Sequence, residues 1–591
     1  MVPDVPTFAV DAGFWYSLPE PLADRVDVGW KVRVPLSGRR VGGFVVERGV
    51  RPPDRLRDVA AVSGVGPIFD LELRDSLLWA ADHYVAPVST LLGRADPPNV
   101  PPEAPGPPSG RLPAPGDHPL ADVVGTVVGG GRRRPLVWLA PEIDPSWLSG
   151  LAAPIVGSGR TVLLVAPTSV EVEAVAAGVR PLMGEHLVVV TSEMDDRDVT
   201  SAWATARHHP AMVVGTPRVA AWHVARPGLA VLADDGRRAM KDRQTPTVHA
   251  RDLLRVRSVR EGWTLVIVGP TPSVEAMGLG PEIRRPPGST RAWPLVEVVD
   301  RRAEPPGSGL LSGPARQAIA AVTGRGGRTF VYAHRHGYSA AARCGSCRTP
   351  RRCGECGSRP DPGPRCARCG AELGPCTECG ADRFEPLGAG VGRLVADVGR
   401  VVGEGSVAAA PEEAPVVVGT ERDLAGLAPV DLAVLVDLDG LVYGSNYRAA
   451  EEALRIGARL AAATGGGSGR RLMVQTSDPA HPVVVSLRRG DPTGFLESEL
   501  AERERMGYPP AGSVLVLEVR GDAEDPADVD RAVRDAAADA LVMGPAPHRD
   551  GRRWLVQGPD LDSFRVRLRS LVRRWRDAGA TVRIDADPID L

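Results

Sequence analysis

The stretch Cys344-Gly-Ser-Cys347-Arg-Thr-Pro-Arg-Arg-Cys353-Gly-Glu-Cys356-Gly-Ser-Arg-Pro-Asp-Pro-Gly-Pro-Arg-Cys366-Ala-Arg-Cys369-Gly-Ala-Glu-Leu-Gly-Pro-Cys376-Thr-Glu-Cys379 holds every cysteine of the 591-residue chain. Its eight cysteines form four Cys-x-x-Cys pairs separated by five, nine and six residues. Each pair offers a metal two thiolates, and two pairs complete a tetrahedral four-thiolate site, so the stretch predicts two zinc ions. Glycine follows three of the pairs (Gly357, Gly370 and Gly380), where a left-handed backbone would aim amides at the sulfurs. A disulfide framework is the alternative, opposed by the lack of cysteine elsewhere and of an export-type leader. Spacing does not choose among the three ways of grouping four pairs into two sites. A four-thiolate zinc has no open position for water, so the expected role is folding, not catalysis.

The rest of the chain is long enough for several domains. Hydrophobic residues make up 43%, which supports real cores, while 67 Gly and 57 Pro suggest many turns and linkers. The formal net charge of −2 means that any nucleic-acid surface must be local. No apolar run approaches a membrane span and residues 1–11 lack a signal pattern, so the expected location is the cytoplasm. Lysine occurs only at Lys31 and Lys241; arginine supplies nearly all the positive charge. That substitution is harmless on a surface, but not where a compact ammonium must sit among phosphates.

Residues 1–100 read as a β-rich module, with strands at 31–35 and 41–47 and a helix over 71–84. The turn Ser37-Gly-Arg-Arg40 carries two cations, Arg39 and Arg40, that fit either a binding site or a solvated turn. Pro- and Gly-rich residues 101–134 read as a linker ending in Gly129-Gly-Gly-Arg-Arg-Arg134. Short apolar runs at 161–166, 187–190, 212–214, 229–233 and 265–268 then mark buried parallel strands of one α/β lobe over 135–286. A second series at 329–333, 416–418, 432–436 and 472–475 marks another, over 287–340 and 381–477. The cysteine segment, 341–380, interrupts this second lobe after the first of those strands. Residues 478–591 form a last module, whose helix at 562–577 carries six arginines opposite Phe564, Leu568, Leu571 and Trp575. Those arginines suit either nucleic acid or solvent.

Ordered motifs carry a resemblance. They include Leu77-Leu-Trp-Ala-Ala-Asp-His-Tyr84, Val248-His-Ala-Arg-Asp252, Thr271-Pro-Ser273 and His336-Gly-Tyr338. They continue with Asp437-Leu-Asp-Gly440, Asn446-Tyr-Arg-Ala-Ala-Glu451, Gln475-Thr476, Glu499-Leu-Ala-Glu-Arg-Glu-Arg-Met-Gly-Tyr-Pro-Pro510 and Asp585-Ala-Asp-Pro588. Around an eight-cysteine insert, this series resembles the bacterial replication-restart family PriA over nearly the whole length. The resemblance implies an α/β fold of two tandem RecA-like helicase lobes, with the two-zinc insertion in the second. It also implies an N-terminal β-rich domain that binds the 3′ end of a nascent strand, and a C-terminal α/β domain. It assigns Cys344, Cys347, Cys376 and Cys379 to one zinc, and Cys353, Cys356, Cys366 and Cys369 to the other.

The departures from that family concern its engine. A phosphate loop needs Gly-x4-Gly-Lys-Ser/Thr, because glycine amides cradle phosphates and the lysine reaches the outer ones. Neither lysine lies in such a loop. Gly157-Ser-Gly-Arg-Thr161 suits the turn after the first helix, and Pro141-Glu-Ile-Asp-Pro145 takes the loop position. Asp234-Asp-Gly-Arg237 stands for the family's Asp-Glu-Glu-His, leaving Asp234 and Asp235 as a degenerate remnant. The expected arginines of the last motif fall on Ala463 and Gly466, and Glu421-Arg-Asp-Leu-Ala-Gly426 has drifted as well. Losing cradle, metal ligands and arginines together removes nearly all of phosphoryl-transfer catalysis. In the 3′-end pocket Phe14-Trp-Tyr16 replaces Phe-Asp-Tyr, so an aromatic would stack on a terminal base where a carboxylate is expected; Arg57 keeps the basic role. The DNA-binding candidates are therefore Phe14, Trp15, Arg39, Arg40 and Arg57. The family's winged-helix segment has no room in the linker.

Three readings follow. The first is a DNA-binding restart factor that recognises stalled forks and 3′ ends and meets primosome and replisome proteins near the nucleoid, without helicase activity; whether its lobes bind ATP without hydrolysing it is left open by the sequence. The second is a working ATP-dependent 3′-to-5′ helicase. The third is a zinc-dependent interaction scaffold with little DNA binding.

Overall fold

The computed structural model describes all residues except 50–55, 102–104, 115, 289–292, 306–308, 335–340, 348, 356, 358–359, 361–362, 367–369, 388–389, 445, 468, 522–523 and 591. The motif at 336–338, and Cys356 and Cys369 of the inner pairs, lie outside the described residues.

At the N-terminus, Lys31–Leu36 and Arg39–Phe44 form a hairpin, joined on either side by Val2–Pro3 and Ala61–Ser63 in one antiparallel sheet. The two-residue turn needs positive φ at both positions, met by Ser37 (47°) and Gly38 (79°). Helix Leu71–His83 follows, with Asp70 accepting from the Leu73 amide as its cap and Leu73, Leu77, Ala80 and Ala81 fully buried.

The first lobe is a seven-stranded parallel sheet. Its order is Glu282–Arg284, Leu136–Leu139, Thr264–Gly269, Pro227–Ala233, Thr161–Val165, Met212–Gly215 and Leu187–Val190. The central strands are apolar on both faces because helices cover both, which is why they read as continuous hydrophobic runs. The second lobe is a six-stranded parallel sheet ordered Leu295–Asp300, Arg471–Thr476, Leu432–Leu435, Thr329–Tyr332, Val416–Gly419 and Val407–Ala409. The architecture is two tandem lobes of the RecA-like kind, a β-rich N-terminal unit, a cysteine-rich insertion and a C-terminal α/β unit. That last unit is an antiparallel sheet, Leu541–His548, Gly551–Gly558, Ser513–Arg520 and Thr581–Ala586, beneath helices Pro526–Ala537 and Asp562–Asp577.

Three expected boundaries move. The linker expected over 101–134 ends in a helix, Ala121–Val128, whose Val123 and Val127 join the core beneath the first lobe. Asp122 on that helix pairs with Arg133 and Arg284, which fastens it to the lobe. The insertion expected over 341–380 runs on to residue 387, because Ala341–Cys344 pairs antiparallel with Phe384–Leu387. The last module expected from 478 begins later: Val483, Val484, Leu487, Phe495 and Leu496 pack in the second-lobe core.

Polar interlocks join the units. Lys241 is buried, and its ammonium donates to Asp585 Oδ1 (2.6 Å), Ala586 O (2.6 Å) and Asp587 O (2.9 Å). Three acceptors around one nitrogen suit a compact ammonium better than a planar guanidinium, so lysine survives here in an arginine-rich chain. The same C-terminal segment accepts from Asn446 through Ile589 O (2.5 Å) and from Arg448 through Pro588 O (3.2 Å). His83 of the N-terminal helix lies 3.1 Å from Asp587. The helix arginines at 562–577 serve this packing as well. Arg565 is buried, Arg567 donates to Ala536 O (2.7 Å), Arg569 pairs with Asp82 (2.7 Å) and Arg574 with Glu524 (2.7 Å).

Candidate metal centre, interlobe cleft and DNA face

In the insertion, the Sγ atoms of Cys344, Cys347, Cys376 and Cys379 all lie within 4.8 Å of one another. The closest contacts are Cys344 to Cys379 and Cys347 to Cys376, both 3.5 Å. Zn–S bonds near 2.3 Å put the sulfurs of a tetrahedral site about 3.8 Å apart, so this group of thiols fits one metal ion. Gly357, Gly370 and Gly380 have φ of 68°, 77° and 74°. Each donates its amide to the carbonyl of the first cysteine in its pair, at 2.8–2.9 Å, which closes the turn around the sulfurs. The Thr349 side-chain oxygen lies 3.3 Å from the Cys347 sulfur. Cys353 and Cys366, one from each inner pair, are buried. Arg351 braces the knuckles, donating to Gly363 O (2.8 Å), Leu373 O (3.2 Å) and Gly374 O (3.2 Å), with its guanidinium 3.9 Å from the Phe384 ring centre.

Parallel lobes place ligands at the carboxyl ends of their strands. There a cleft of about 320 Å³ opens between the lobes. Its first-lobe wall includes Pro141, Glu142 and Ile143, from the loop that follows the strand Leu136–Leu139. The next helix, Pro145–Gly157, is capped by Asp144, whose Oδ1 accepts from the Trp147 amide at 2.8 Å. A helix N-terminus at this position is where phosphate would bind. Here the chain's own carboxylate takes an amide, Glu142 adds a second negative charge, and proline replaces the glycine amides. Gly157-Ser-Gly-Arg-Thr161 lies at the far end of that helix, and Arg160 donates to Pro227 O (3.3 Å) away from the cleft.

The two aspartates of the remnant point to different work. Asp234 has φ of 48°, lines the cleft and lies 3.4 Å from Arg459 of the second lobe. Burial pushes its carboxyl up, while Arg459 and Arg237 pull it down. Asp235 is fully buried and holds both Ser273 groups, accepting from the amide at 3.0 Å and from the hydroxyl. It faces the lobe interior, so it binds the Thr271-Pro-Ser273 motif and does not line the cleft. Arg237, in place of the family's histidine, pairs with Glu171 and with Glu421 (3.3 Å). Ala463 lines the cleft without offering a cation. Arg455 and Arg459 were not singled out in the sequence, although their i,i+4 spacing on the helix ending at Ala462 gives them one shared face.

On the N-terminal unit, Phe14 and Trp15 are exposed, at 43% and 46%. Tyr16–Ser17 pairs in parallel with Arg57–Asp58, which sets Arg57 opposite Tyr16. The Tyr16 hydroxyl donates to Pro35 O (3.1 Å), and Pro35 pairs with Arg40 across the basic hairpin. Two exposed aromatics and the exposed cations Arg39, Arg40 and Arg57 therefore belong to one small region built by a hairpin and a short parallel pair.

The PriA 3′DNA-binding domain (3′BD) profile matches residues 2–97. A "Probable replication restart protein PriA" from Mycobacterium tuberculosis is 26% identical over 97% of this chain and 95% of that protein. The PriA of Treponema pallidum is 25% identical over 74% of each chain. That of Synechocystis is 24% identical over 74% of this chain and 60% of its own length. With the N-terminal domain matched and PriA relatives aligned along most of the length, the chain is similar to PriA-type replication-restart proteins over nearly its whole extent.

Proposed function

We propose that this protein is a DNA-binding replication-restart factor that recognises branched forks and 3′ ends, while its lobes act as a scaffold and do not unwind DNA. The observation that carries the reading is the phosphate-loop position, held by Pro141, Glu142, Ile143 and the helix-capping Asp144. A nucleotide would meet two carboxylates there and no lysine. The exposed pair Phe14 and Trp15, with Arg39, Arg40 and Arg57 beside it, supplies stacking surface and phosphate contacts for a strand end. Zinc is the metal we assign, two per chain: Cys344, Cys347, Cys376 and Cys379 hold one, and Cys353, Cys356, Cys366 and Cys369 the other. Their thiolates would fold the insertion, with no position left for chemistry. Primosome and replisome proteins are the partners this reading calls for, and the cytoplasm, at the nucleoid, is its location. Among the described residues no helix is long and apolar enough to cross a membrane.

Anisotropy titrations of a labelled fork with a 3′ end at the junction test the DNA face. Trp15→Ala should weaken binding by about 1–3 kcal/mol at every salt concentration, as loss of one stacked base does. Replacing Arg40 and Arg57 together by Gln should instead flatten the slope of log affinity against log salt by about two contacts. Unchanged affinity and slope in both variants would remove this face from the interface.

A further inference from the structure

Seven charged side chains meet where the two lobes close on the cleft. The first lobe contributes Glu171, Asp234 and Arg237; the second contributes Glu421, Arg455, Arg459 and Glu452, which lies 3.5 Å from Arg455. Glu421 alone receives three guanidinium groups. Arg459 Nη1 lies 2.9 Å and Arg237 Nε 3.3 Å from its Oε1, Arg455 Nη2 lies 3.1 Å from its Oε2, and Arg455 Nη1 also pairs with it. Three contacts cross between lobes: Arg237 with Glu421, Arg459 with Glu171 (3.2 Å), and Arg459 with Asp234 (3.4 Å). Three guanidiniums thus meet four carboxylates, and each arginine is at most 8% exposed. Buried guanidiniums need such partners, since an unpaired charge out of water is costly.

The helix Ala449–Ala462 explains how the cluster arose in this sequence. The resemblance placed two arginines beyond its end, where Ala463 and Gly466 stand. The cations lie instead on its last two turns, at Arg455 and Arg459, and meet a glutamate of their own lobe. We propose that the Glu421 carboxylate is a built-in anion that fills a three-arginine site and holds the two lobes closed with no nucleotide bound. The proposal rests on the scaffold reading and deepens it: the chain keeps the closed form of a two-lobed engine by supplying the negative charge itself. Without the Glu421 carboxylate, the one group that all three guanidiniums share is gone, and a phosphate-like oxyanion such as pyrophosphate can take its place among them.

The test uses the full-length, metal-loaded protein. Donor and acceptor dyes are attached through noncanonical residues at exposed Arg180 of the first lobe and Arg400 of the second, and energy transfer is read from single molecules. The parent should show one high-transfer population, unmoved by magnesium with ATP or with pyrophosphate. Glu421→Gln and Arg459→Gln should each lose that population, and pyrophosphate should restore it in Glu421→Gln only. Unchanged transfer in both variants overturns the clamp and leaves the scaffold reading intact. A nucleotide response in the parent overturns the scaffold reading, and the clamp with it.

Discussion

Arg503→Ala should destabilise the protein by about 3–5 kcal/mol, a loss typical of leaving buried charges without their partner. Arg503 is 2% exposed on the helix Thr493–Met506, whose Phe495 and Leu496 pack in the second-lobe core. Its guanidinium reaches Glu451 (2.7 Å) on the second lobe, Glu275 (3.4 Å) on the first and Glu499 (3.1 Å) on its own helix. Its face lies over the Tyr447 ring, which stacks on Tyr508 with centroids 4.5 Å apart. Glu275 also meets Arg251 (3.3 Å) and Arg448, and Glu451 accepts the Val274 amide at 2.9 Å. Burial raises the Glu275 carboxyl, but Arg448, Arg251 and Arg503 outweigh it and hold the group well below the ordinary carboxylate range. A carboxylate held down in this way stabilises the fold above its unfolded pKa of 4.5 and loses that contribution as pH falls. The gap between Arg503→Ala and the parent in urea unfolding should therefore be widest at neutral pH and narrow below about pH 4. A gap that stays constant on acidification would mean that packing, not charge, makes Arg503 important.

Removing the metal should have the other large effect, and a local one. Structural zinc sites bind with about 10–16 kcal/mol of apparent free energy, and that energy is folding energy for the segment that makes them. The insertion is tied to the second lobe by the ribbon Ala341–Cys344 with Phe384–Leu387, and among the described residues no cysteine belongs to the lobe cores. Chelation under denaturant-free conditions should thus expose 345–383 to trypsin, at sites such as Arg351, Arg352 and Arg365, while the rest keeps its parent melting transition. Elemental analysis before chelation should give two zinc ions per chain, and Cys344→Ser should remove one of them. Melting of the lobes together with metal loss would show that the insertion holds the lobes up.

Both expectations depend on how different kinds of information sit in this sequence. The inner strands of both lobes were legible because a doubly covered strand is apolar throughout, as in Thr161–Val165 and Leu432–Leu435. Apart from Leu187–Val190, the edge strands of the lobes were not. Leu295–Asp300 alternates and is partly exposed, and Leu541–His548 contains Gly544, Pro545 and Pro547 on an exposed edge, where proline is tolerated. Helix Ala121–Val128 was hidden by the Pro- and Gly-rich residues before it. The cysteine-rich stretch was legible through residue type and spacing, whereas its outer four-cysteine grouping came only from the family resemblance. The ionic networks were not, since Arg459 and Glu171 are 288 residues apart and only the fold brings them together. The family motifs now have physical roles: Asn446, Tyr447, Arg448, Glu451, Arg503 and Tyr508 fasten the lobes and the C-terminal unit to each other. On the scaffold reading those fastenings are still needed where a phosphate cradle is not, which fits their being recognisable in this sequence.

The most direct test of a DNA-binding scaffold without an engine is steady-state ATP hydrolysis by the purified, zinc-loaded protein, with and without forked DNA, with fork affinity recorded in the same samples. Tight fork binding with no DNA-stimulated hydrolysis is the expected result. Stimulated hydrolysis that co-purifies with the protein through every column would contradict the account, and would place a phosphate-binding loop somewhere other than residues 140–144.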